Sequence, residues 1–339
     1  MPRVSVVMPV YNARRFLREA VQSILEQTYT DIEMIAVDDA STDDSRSLLE
    51  DFAGRDARVI VVPQPRNQGV RAALHAGVER ARGEYIARMD ADDISLPTRL
   101  AQQVAFLDQN PPVAVVGTWA QTMDDHGQPG VSITPPTLPG EIGWHLLFGS
   151  VLIHPSVMMR RSMVAEVGFY RDLTMYCEDY ELWTRLNRRF SLANLPIIGL
   201  RYRLTTGSAT NQRSRRDAIY LVQQNALDWM NEALPSSVAE YLHDISFSAS
   251  GPPIPVSELR ATVTALNRFH AAWLRQRTLT PAEQHAIQSD LARRLFRLAK
   301  RGWPSAPGQA VLTGLKALQA DPALPLRLVQ QRLLGKGPV

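Results

Sequence analysis

The sequence predicts an α/β fold with a mainly parallel, doubly covered sheet, followed by a C-terminal α-helical region. Short β-rich segments alternate with amphipathic helical segments over the first 90 residues, and strand-like patterns are absent after about residue 210. Such alternation favours a parallel sheet, because each helix carries the chain back to the same edge. A chain of 339 residues with 45% hydrophobic content is long enough for about two domains. We predict domains at 1–210 and 211–339.

The first 90 residues contain four predicted strands separated by three helices. The strands are rich in β-branched residues and the helices have apolar residues on one face. The predicted strands are 3–8, 32–37, 59–62 and a segment that ends at Asp90. The predicted helices are 13–27, 45–52 and 68–81. Gly83 is predicted to end the third helix as its C-terminal capping glycine.

Polar residues follow three of these strands directly. They are the segment from Pro9 to Asn12, the pair Asp38-Asp39, and the run Asp90-Ala91-Asp92. In open parallel sheets, ligands collect at the carboxyl ends of the strands. The three clusters are therefore expected to meet in one crevice.

Asp90, Asp92 and Asp93 place three carboxylates within four residues. Like charges this close repel, and folded proteins keep them together mainly by binding a divalent cation or several donors. Oxygen-rich sites suit Mg²⁺ or Mn²⁺, and Mg²⁺ usually keeps positions for substrate phosphates. The alternative is a solvated acidic turn before the next helix. Convergence with the other two clusters favours the cation site.

Other nucleotide-binding folds fit the sequence less well. A dinucleotide-binding fold needs Gly-x-Gly-x-x-Gly after the first strand, and a P-loop needs Gly-x-x-x-x-Gly-Lys; neither motif occurs. An aspartyl phosphatase requires its nucleophilic aspartates where this chain has Pro9 and Tyr11. A metal-assisted site for a nucleoside diphosphate remains.

Composition and charge limit the location and partners. The single cysteine, Cys177, excludes an intramolecular disulfide and fits a reducing compartment. Neither a signal peptide nor an 18-residue apolar run is recognisable, so we expect a cytoplasmic protein, or one bound peripherally at the inner face of the membrane. Residues 211–339 carry 16 Lys and Arg against 9 Asp and Glu. This excess fits an anionic membrane surface or a solvated helical face, and we expect no nucleic-acid partner.

Several motifs in residues 3–210 resemble those of family 2 inverting glycosyltransferases with the GT-A fold, of the type used in bacterial polysaccharide synthesis. The motifs occur in the order and spacing of that family. They are Val4-Ser5-Val6-Val7-Met8-Pro9-Val10-Tyr11-Asn12, Gln27-Thr28, Val37-Asp38-Asp39, Asn67-x-Gly69, Gly83-Glu84-Tyr85-Ile86, Asp90-Ala91-Asp92-Asp93, Pro97-x-Arg99-Leu100-x-x-Gln103, His154-Pro155-Ser156, Gly168-x-Tyr170 and Glu178-Asp179-Tyr180-Glu181-Leu182-Trp183.

The resemblance implies a nucleotide-sugar donor site with bound Mn²⁺ or Mg²⁺. Asp92 is implied to bind the metal, with Asp90 reaching the metal or the ribose. Asp39 is implied to accept a hydrogen bond from uracil N3–H, which favours a UDP-sugar. The residues implied to bind the nucleotide sugar are Pro9, Val10, Tyr11, Asp39, Asp90, Ala91 and Arg203. The sequence departs from the family at Thr205, where a histidine is expected, and this leaves Arg203 as a candidate for the diphosphate.

Inverting glycosyl transfer needs a base that removes the proton of the acceptor hydroxyl. The resemblance assigns this role to Asp179, with Glu178 binding or orienting the acceptor. Both residues begin a predicted helix, where the macrodipole also favours a purely structural acidic cap. His154 and Trp183 are implied to lie on the acceptor side. Each also has a structural alternative, since isolated histidines are commonly structural and the spacing of Trp183 fits core packing.

We therefore predict a hexosyltransferase-type enzyme that transfers a sugar from a nucleotide-diphosphate donor to a saccharide or lipid-linked acceptor. The alternatives are a catalytically silent scaffold of the same fold and a sugar-nucleotide nucleotidyltransferase. The helical region could mediate oligomerisation or membrane docking. Within it, the leucine-rich and arginine-rich faces of 287–301 fit either an interfacial membrane helix or an ordinary packed helix.

Overall fold

The structure, a computed structural model, describes residues 1–171, 176–204 and 212–325. The chain divides into two compact units, Met1–Thr137 with Leu152–Ala209 and Leu138–Val151 with Thr210–Val339. The sequence-based division placed Leu138–Val151 in the first domain, whereas the structure groups this segment with the helical unit. No sequence pattern indicates this grouping, because the segment is short and flanked by strand-forming residues.

The unit formed by Met1–Thr137 and Leu152–Ala209 is called the catalytic unit below. The first half of the catalytic unit has the alternating order that the sequence predicts. Its strands are β1 (Val4–Val10), β2 (Ile32–Asp38), β3 (Val59–Pro63) and β4 (Tyr85–Arg88). Its helices are α1 (Arg14–Leu25), α2 (Ser45–Arg55) and α3 (Val70–Arg80). The four strands are parallel in the order β3-β2-β1-β4. Strands β1 and β2 are buried along nearly their whole length, as expected for a sheet covered on both faces.

The second half of this unit extends the sheet with strands of mixed direction. These strands are β5 (Ile94–Ser95), β6 (Val113–Met123), β7 (Pro129–Ile133), β8 (Met158–Arg160) and β9 (Ser191–Arg203). The sheet continues in the order β4-β8-β6-β9-β5, and β7 pairs with β6. Strands β6 and β9 are parallel, whereas β8 is antiparallel to both β4 and β6. The helices of this half are α4 (Arg99–Gln109), α6 (Arg161–Val167) and α7 (Glu178–Asn187).

Gly83 has a different role from the one that the sequence suggested. Helix α3 ends at Arg80, and Gly83 is not in the left-handed conformation typical of a capping glycine. A Cβ atom at Gly83 would lie 2.7 Å from the backbone nitrogen of Ser5 and 2.9 Å from the carbonyl oxygen of Arg3. Its own N–H donates to Ser5 Oγ at 2.8 Å. Glycine is needed here because the backbone passes directly against β1.

Within residues 138–151 and 212–325, the helical unit contains α5 (Pro139–His145) and five longer helices. These are α8 (Gln212–Met230), α9 (Ser236–Phe247), α10 (Val256–Gln276), α11 (Pro281–Gly302) and α12 (Pro307–Ala320). The sequence pattern predicts helices over 216–234, 255–275 and 281–301, which are the counterparts of α8, α10 and α11, and it predicts neither α9 nor α12. In the part of the chain that the structure describes, no helix is long and apolar enough to cross a membrane.

Helix α11 is a packed helix, which agrees with the packed-helix alternative and not with the interfacial one. One face of α11 carries the apolar residues Ile287, Leu291, Leu295 and Leu298. Their side chains are at most 4% exposed and lie in the core of the helical unit. Arg294 and Arg301, expected on the solvated face, are also buried. The leucines that an interfacial helix would insert into lipid are therefore covered by the helical unit itself.

Buried charges connect α11 to α5 within the helical unit. Asp290 accepts hydrogen bonds from Arg294 Nε at 2.5 Å and from Trp144 Nε1 at 2.7 Å. Burial opposes the ionisation of Asp290, but Arg294 and its cationic neighbours outweigh this and hold the pKa of Asp290 well below its ordinary value. Burial lowers the pKa of His145 to about 4, so its imidazole is neutral at pH 7.

The contact at Gly83 predicts a stability difference between two glycine substitutions. Gly83→Ala should destabilise the protein by about 1–3 kcal/mol, because the added methyl group meets backbone atoms that cannot move aside. The control is Gly54→Ala in α2, where a Cβ has nothing within 4 Å. That substitution should be neutral or stabilise by about 0.5–1 kcal/mol. Urea unfolding of both variants tests this, and equal midpoints for Gly83→Ala and the wild type would contradict it.

Candidate active site

The loops after β1 and β2 are joined by Asn12. Its side-chain Oδ1 accepts a hydrogen bond from the backbone of Thr42 at 2.8 Å, and its own N–H donates to Ser41 Oγ at 3.1 Å. Asn12 and Ala40 both have positive φ angles, of 49° and 58°. Residues other than glycine hold this conformation only when surrounding contacts impose it. The two loops therefore form one fixed wall.

Asp39 is buried and oriented by three backbone hydrogen bonds. Its N–H donates to the carbonyl oxygen of Val10 at 2.8 Å. Its two carboxylate oxygens accept hydrogen bonds from the N–H groups of Gln68 and Gly69, at 2.9 Å and 2.8 Å. Each oxygen keeps a further lone pair. Asp39 is thus a rigid acceptor at the carboxyl end of β2.

A cavity of about 410 Å³ opens at the carboxyl ends of β1 and β4. Among its lining residues are Pro9, Tyr11, Asp90, Ala91 and Asp92, all of which the sequence assigned to the nucleotide-sugar site. The cavity also includes Asn12, the last residue of the first polar cluster, together with Arg15 and Phe16, which the sequence analysis did not assign to the site. Two polar clusters that are about 80 residues apart in the chain therefore meet at one cavity.

Val10 does not contribute its side chain to this cavity, so its assignment as a nucleotide-binding side chain is wrong. The side chain is 1% exposed and belongs to the core of the unit. Because side chains alternate along a strand, Val10 points to the opposite face from its neighbours Pro9 and Tyr11. Its contribution is the carbonyl oxygen that binds the N–H of Asp39.

The acidic run after β4 brings three carboxylates together. One oxygen each of Asp90, Asp92 and Asp93 lies within 4.8 Å of the others. Burial and the nearby charge of Asp90 raise the pKa of Asp92 to about 6 and that of Asp93 to about 8. Asp93 accepts a hydrogen bond from the backbone N–H of Arg203 at 2.8 Å, and its other oxygen is buried with no partner among the described residues.

These residues fit a divalent cation. Burial and neighbouring negative charge raise the pKa values of Asp92 and Asp93, and a hard cation would remove the repulsion within the run. Asp90 and Asp92 line the cavity and could bind a cation directly. Asp93 is 2% exposed, so it lies behind them.

Arg88, the last residue of β4, is a functional residue that the sequence reasoning missed. Its side chain is 6% exposed and forms an ion pair with Asp90 through Nη1. Burial by itself would lower the pKa of the guanidinium, but Asp90 and the neighbouring Tyr170 and Asp93 keep it above its ordinary value. A charged residue at the end of an otherwise apolar strand, directly before the acidic run, was the signal available in the sequence.

Arg203 is turned into the protein, so we do not retain its assignment to the diphosphate. Its side chain is 2% exposed. The guanidinium donates to the carbonyl oxygens of Asp92 and Asp124, at 2.8 Å and 3.0 Å, and pairs with Glu19 at 3.1 Å. Its contacts fix the backbone of the acidic run instead. Thr205, the departure from the family pattern, lies outside the described residues.

Glu178 and Asp179 form the first turn of α7, as the sequence predicts. Burial and the adjacent Glu178 carboxylate raise the pKa of Asp179 to about 6, while the charge of Arg88 opposes this shift. The Asp179 carboxylate therefore interacts electrostatically with Arg88, the residue that pairs with Asp90. Arg88 thus interacts electrostatically with both the predicted base and the predicted metal ligands.

His154 and Trp183 are packed against each other rather than exposed to a ligand. Their rings meet edge to face with centroids 5.9 Å apart, and His154 Nε2 is 2.8 Å from the hydroxyl oxygen of Tyr170. Burial and the charge of Arg88 lower the pKa of His154 well below 6.5, so the ring is neutral. Trp183 is fully buried, so its side chain is not available to an acceptor. Core packing explains it.

Buried polar side chains of the other motifs hold this site's backbone. Arg99 donates to the carbonyl oxygens of Pro155 at 2.6 Å and of Arg88 at 3.4 Å. Gln103 donates to the carbonyl oxygens of Val116 and Ser156 at 2.9 Å and 2.7 Å. These bonds connect α4, β4, β6 and the turn at His154–Ser156. They explain the Pro-x-Arg-Leu-x-x-Gln motif without a ligand.

The glycosyl transferase family 2 model matches residues 5–168. EpsE of Bacillus subtilis is 37% identical over 187 residues, which are 54% of this chain and 66% of EpsE. An uncharacterised glycosyltransferase of Haemophilus influenzae is 30% identical over 244 residues, covering 68% of this chain and 75% of that protein. The amylovoran biosynthesis glycosyltransferase AmsE of Erwinia amylovora is 28% identical over 212 residues, covering 62% and 79%.

Two solved structures share the fold. S. aureus TarS 1–349, in complex with UDP-GlcNAc, aligns with a TM-score of 0.56 and 17% identity over 94% of this chain and 91% of that chain. The mannosyltransferase PcManGT from Pyrobaculum calidifontis, in complex with GDP-Man and Mn²⁺, aligns with a TM-score of 0.51 and 19% identity over 93% and 87%. Together with the mixed sheet and the acidic run, these similarities establish that the chain has the GT-A fold and belongs to glycosyl transferase family 2.

Proposed function

We propose that this glycosyltransferase is metal-dependent and inverting, and that it transfers a sugar from a UDP-sugar to a hydroxyl of a saccharide or lipid-linked acceptor. The observation that carries the proposal is that Asp90 and Asp92 line one cavity, next to the buried Arg88, which pairs with Asp90 and whose charge also acts on Asp179. These residues contain the two functions that the reaction needs. One is a site for the charge of the leaving diphosphate, and the other is a base for the acceptor.

The donor-binding part of the proposal depends on Asp39. Its carboxylate only accepts hydrogen bonds, and backbone N–H groups hold it in place. It therefore suits a base with a ring N–H on its pairing edge, such as uracil or guanine, and not adenine or cytosine. The family resemblance favours uracil. Related folds are known with both kinds of donor, since TarS was solved with UDP-GlcNAc and PcManGT with GDP-Man.

The metal-binding part of the proposal assigns Asp92 and Asp90 as ligands of Mn²⁺ or Mg²⁺. GT-A enzymes generally depend on a divalent metal, and PcManGT was solved with Mn²⁺. When bound, such a cation would offset the negative charge that develops on the departing diphosphate. Arg88 orients Asp90 and Arg203 fixes the backbone of Asp92, so the chain itself arranges these two carboxylates.

In the proposed reaction, Asp179 removes the proton of the acceptor hydroxyl while its oxygen attacks the anomeric carbon. The bond from that carbon to the diphosphate oxygen breaks on the opposite face, so a single displacement inverts the configuration. A pKa near 6 leaves Asp179 ionised at neutral pH yet more basic than an ordinary aspartate. Glu178 would bind or orient the acceptor sugar.

We further propose a place in the synthesis of a cell-surface polysaccharide. Support comes from AmsE, whose name assigns it to amylovoran biosynthesis, and from the family resemblance. A panel of UDP- and GDP-sugars, assayed for transfer and hydrolysis with and without chelator, tests the whole proposal. Donor turnover that leaves the nucleoside diphosphate as product supports it. No turnover would favour a silent scaffold. Conversion of the nucleotide sugar and added pyrophosphate into a nucleoside triphosphate and a sugar 1-phosphate would favour a nucleotidyltransferase.

Asp179→Asn should abolish most of the transfer activity, because asparagine keeps the shape of aspartate but cannot accept the proton. A positioned general base contributes about 10²- to 10⁴-fold to a rate. Steady-state kinetics should show this loss in kcat, with unchanged affinity for the nucleoside diphosphate by calorimetry. A variant with near wild-type kcat, or a product with retained anomeric configuration, would reject Asp179 as the base.

The raised pKa of Asp179 predicts the acid limb of the pH profile. Only the ionised carboxylate is a base, so kcat/KM should fall as the pH drops through about 6, two units above an ordinary aspartate. Measurements at saturating Mn²⁺, with metal binding titrated over the same range, separate this effect from protonation of Asp92. A limb centred near pH 4 would contradict the prediction.

Asp92→Asn should weaken metal-dependent nucleotide binding and abolish transfer, because it removes a charged ligand from the proposed metal site. Calorimetric titration of UDP with and without Mn²⁺ measures the effect. The matched control is Asp51→Asn, an exposed aspartate of α2 that pairs with Arg55 and lies outside the acidic run. Unchanged activity in Asp92→Asn, or full wild-type activity after exhaustive chelation, would contradict the metal assignment.

A further inference from the structure

Arg15, in the first turn of α1, lines the cavity at the carboxyl ends of β1 and β4 together with Tyr11, Asp90 and Asp92. We propose that its guanidinium binds the diphosphate of the nucleotide donor. This inference rests on the proposed function and assigns a residue to the part of the donor that Arg203 cannot reach.

The negative charges at the cavity call for a positively charged side chain such as that of Arg15. A nucleoside diphosphate carries several negative charges, and Asp90 and Asp92 add two more at the same cavity. A divalent cation balances only part of this total. Arg88 is buried and paired with Asp90. Arg15 is the only cationic residue among the described residues that line the cavity, and 58% of its side chain is exposed to solvent.

The amino terminus of α1, the other positive group nearby, is already occupied. Anions often bind the free N–H groups at a helix start. Here side chains of the β2–α2 segment take these groups. The N–H of Asn12 donates to Ser41 Oγ at 3.1 Å, and that of Ala13 to Ser45 Oγ at 2.8 Å. The N–H of Arg14 donates to Asp43 at 3.2 Å. The Arg15 side chain is therefore the group at this end of α1 that can meet an anion.

Two contacts hold the guanidinium of Arg15 beside the cavity. Its Cζ lies 4.6 Å from the centroid of the Phe16 ring, whose centroid is also 4.0 Å from Cζ of Arg203. Its Nη1 and Nη2 donate to the carboxylate and the carbonyl oxygen of Asp125, at 3.1 Å and 3.2 Å. A guanidinium has five N–H donors, so these two bonds leave others for phosphate oxygens.

The experiment compares the wild type with Arg15→Gln, Arg15→Lys and the control Arg18→Gln. Arg18 lies on the same helix but contacts the ring of Phe52 and does not line the cavity. Binding of UDP and GDP is measured by calorimetry at saturating Mn²⁺, and binding of uridine by NMR titration, which detects weak affinities. Circular dichroism and thermal unfolding verify that each variant is folded.

Arg15→Gln should weaken binding of the preferred nucleoside diphosphate by about 10- to 100-fold, because charge-assisted hydrogen bonds are lost. Its affinity for uridine should not change. Arg15→Lys should be intermediate, since lysine keeps the charge but not the planar fork. Arg18→Gln should match the wild type.

Equal diphosphate affinity in Arg15→Gln and the wild type would overturn the inference. An equal loss for uridine and UDP would also overturn it, because Arg15 would then contact the nucleoside. If the wild type binds neither UDP nor GDP, the proposed function itself fails, and the inference fails with it.

Discussion

The ion pair between Arg88 and Asp90 is the interaction on which the candidate active site depends. Five carboxylates, on Asp90, Asp92, Asp93, Glu178 and Asp179, come from two segments about 90 residues apart and repel one another. Burying an unpaired charge is energetically unfavourable, so Arg88 and the carboxylates around it stabilise one another. Its position at the end of β4 fixes it, because the sheet holds that backbone on both sides. Strand β4 thus places the Arg88 guanidinium next to the acidic groups.

Arg203 stabilises the same acidic run in a different way. Whereas Arg88 binds a carboxylate, Arg203 binds the carbonyl oxygen of Asp92 and offers its own backbone N–H to Asp93. Its contact with Phe16 connects α1 to this arrangement. Arg88 therefore balances part of the negative charge of the run, and Arg203 holds its backbone in place. With both contacts made, the carboxylates of Asp90 and Asp92 lie at the cavity while Asp93 is buried.

The helical unit is joined to the catalytic unit at more than one place in the chain. Leu138–Val151 leaves the catalytic unit, contributes α5 to the helical unit, and returns shortly before His154. Asp290 holds α5 through Trp144, and Asn225 adds hydrogen bonds to the carbonyl oxygens of Leu146 and Leu147. The buried charges of α11 therefore serve the internal packing of this unit. They do not form the basic surface that the composition suggested.

The sequence by itself determined the alternating half of the fold and most of the cavity wall. Strand periodicity places Pro9, Tyr11, Asp39, Asp90 and Asp92 at strand ends, and parallel topology brings strand ends together. The tertiary structure decided what each polar residue contacts. Arg203, Trp183 and Val10 lie in or beside functional motifs, yet their side chains are buried. Arg88 and Arg15 drew no attention in the sequence because an arginine has no distinctive local pattern. Its role depends on partners from distant segments, and only the folded chain sets those partners.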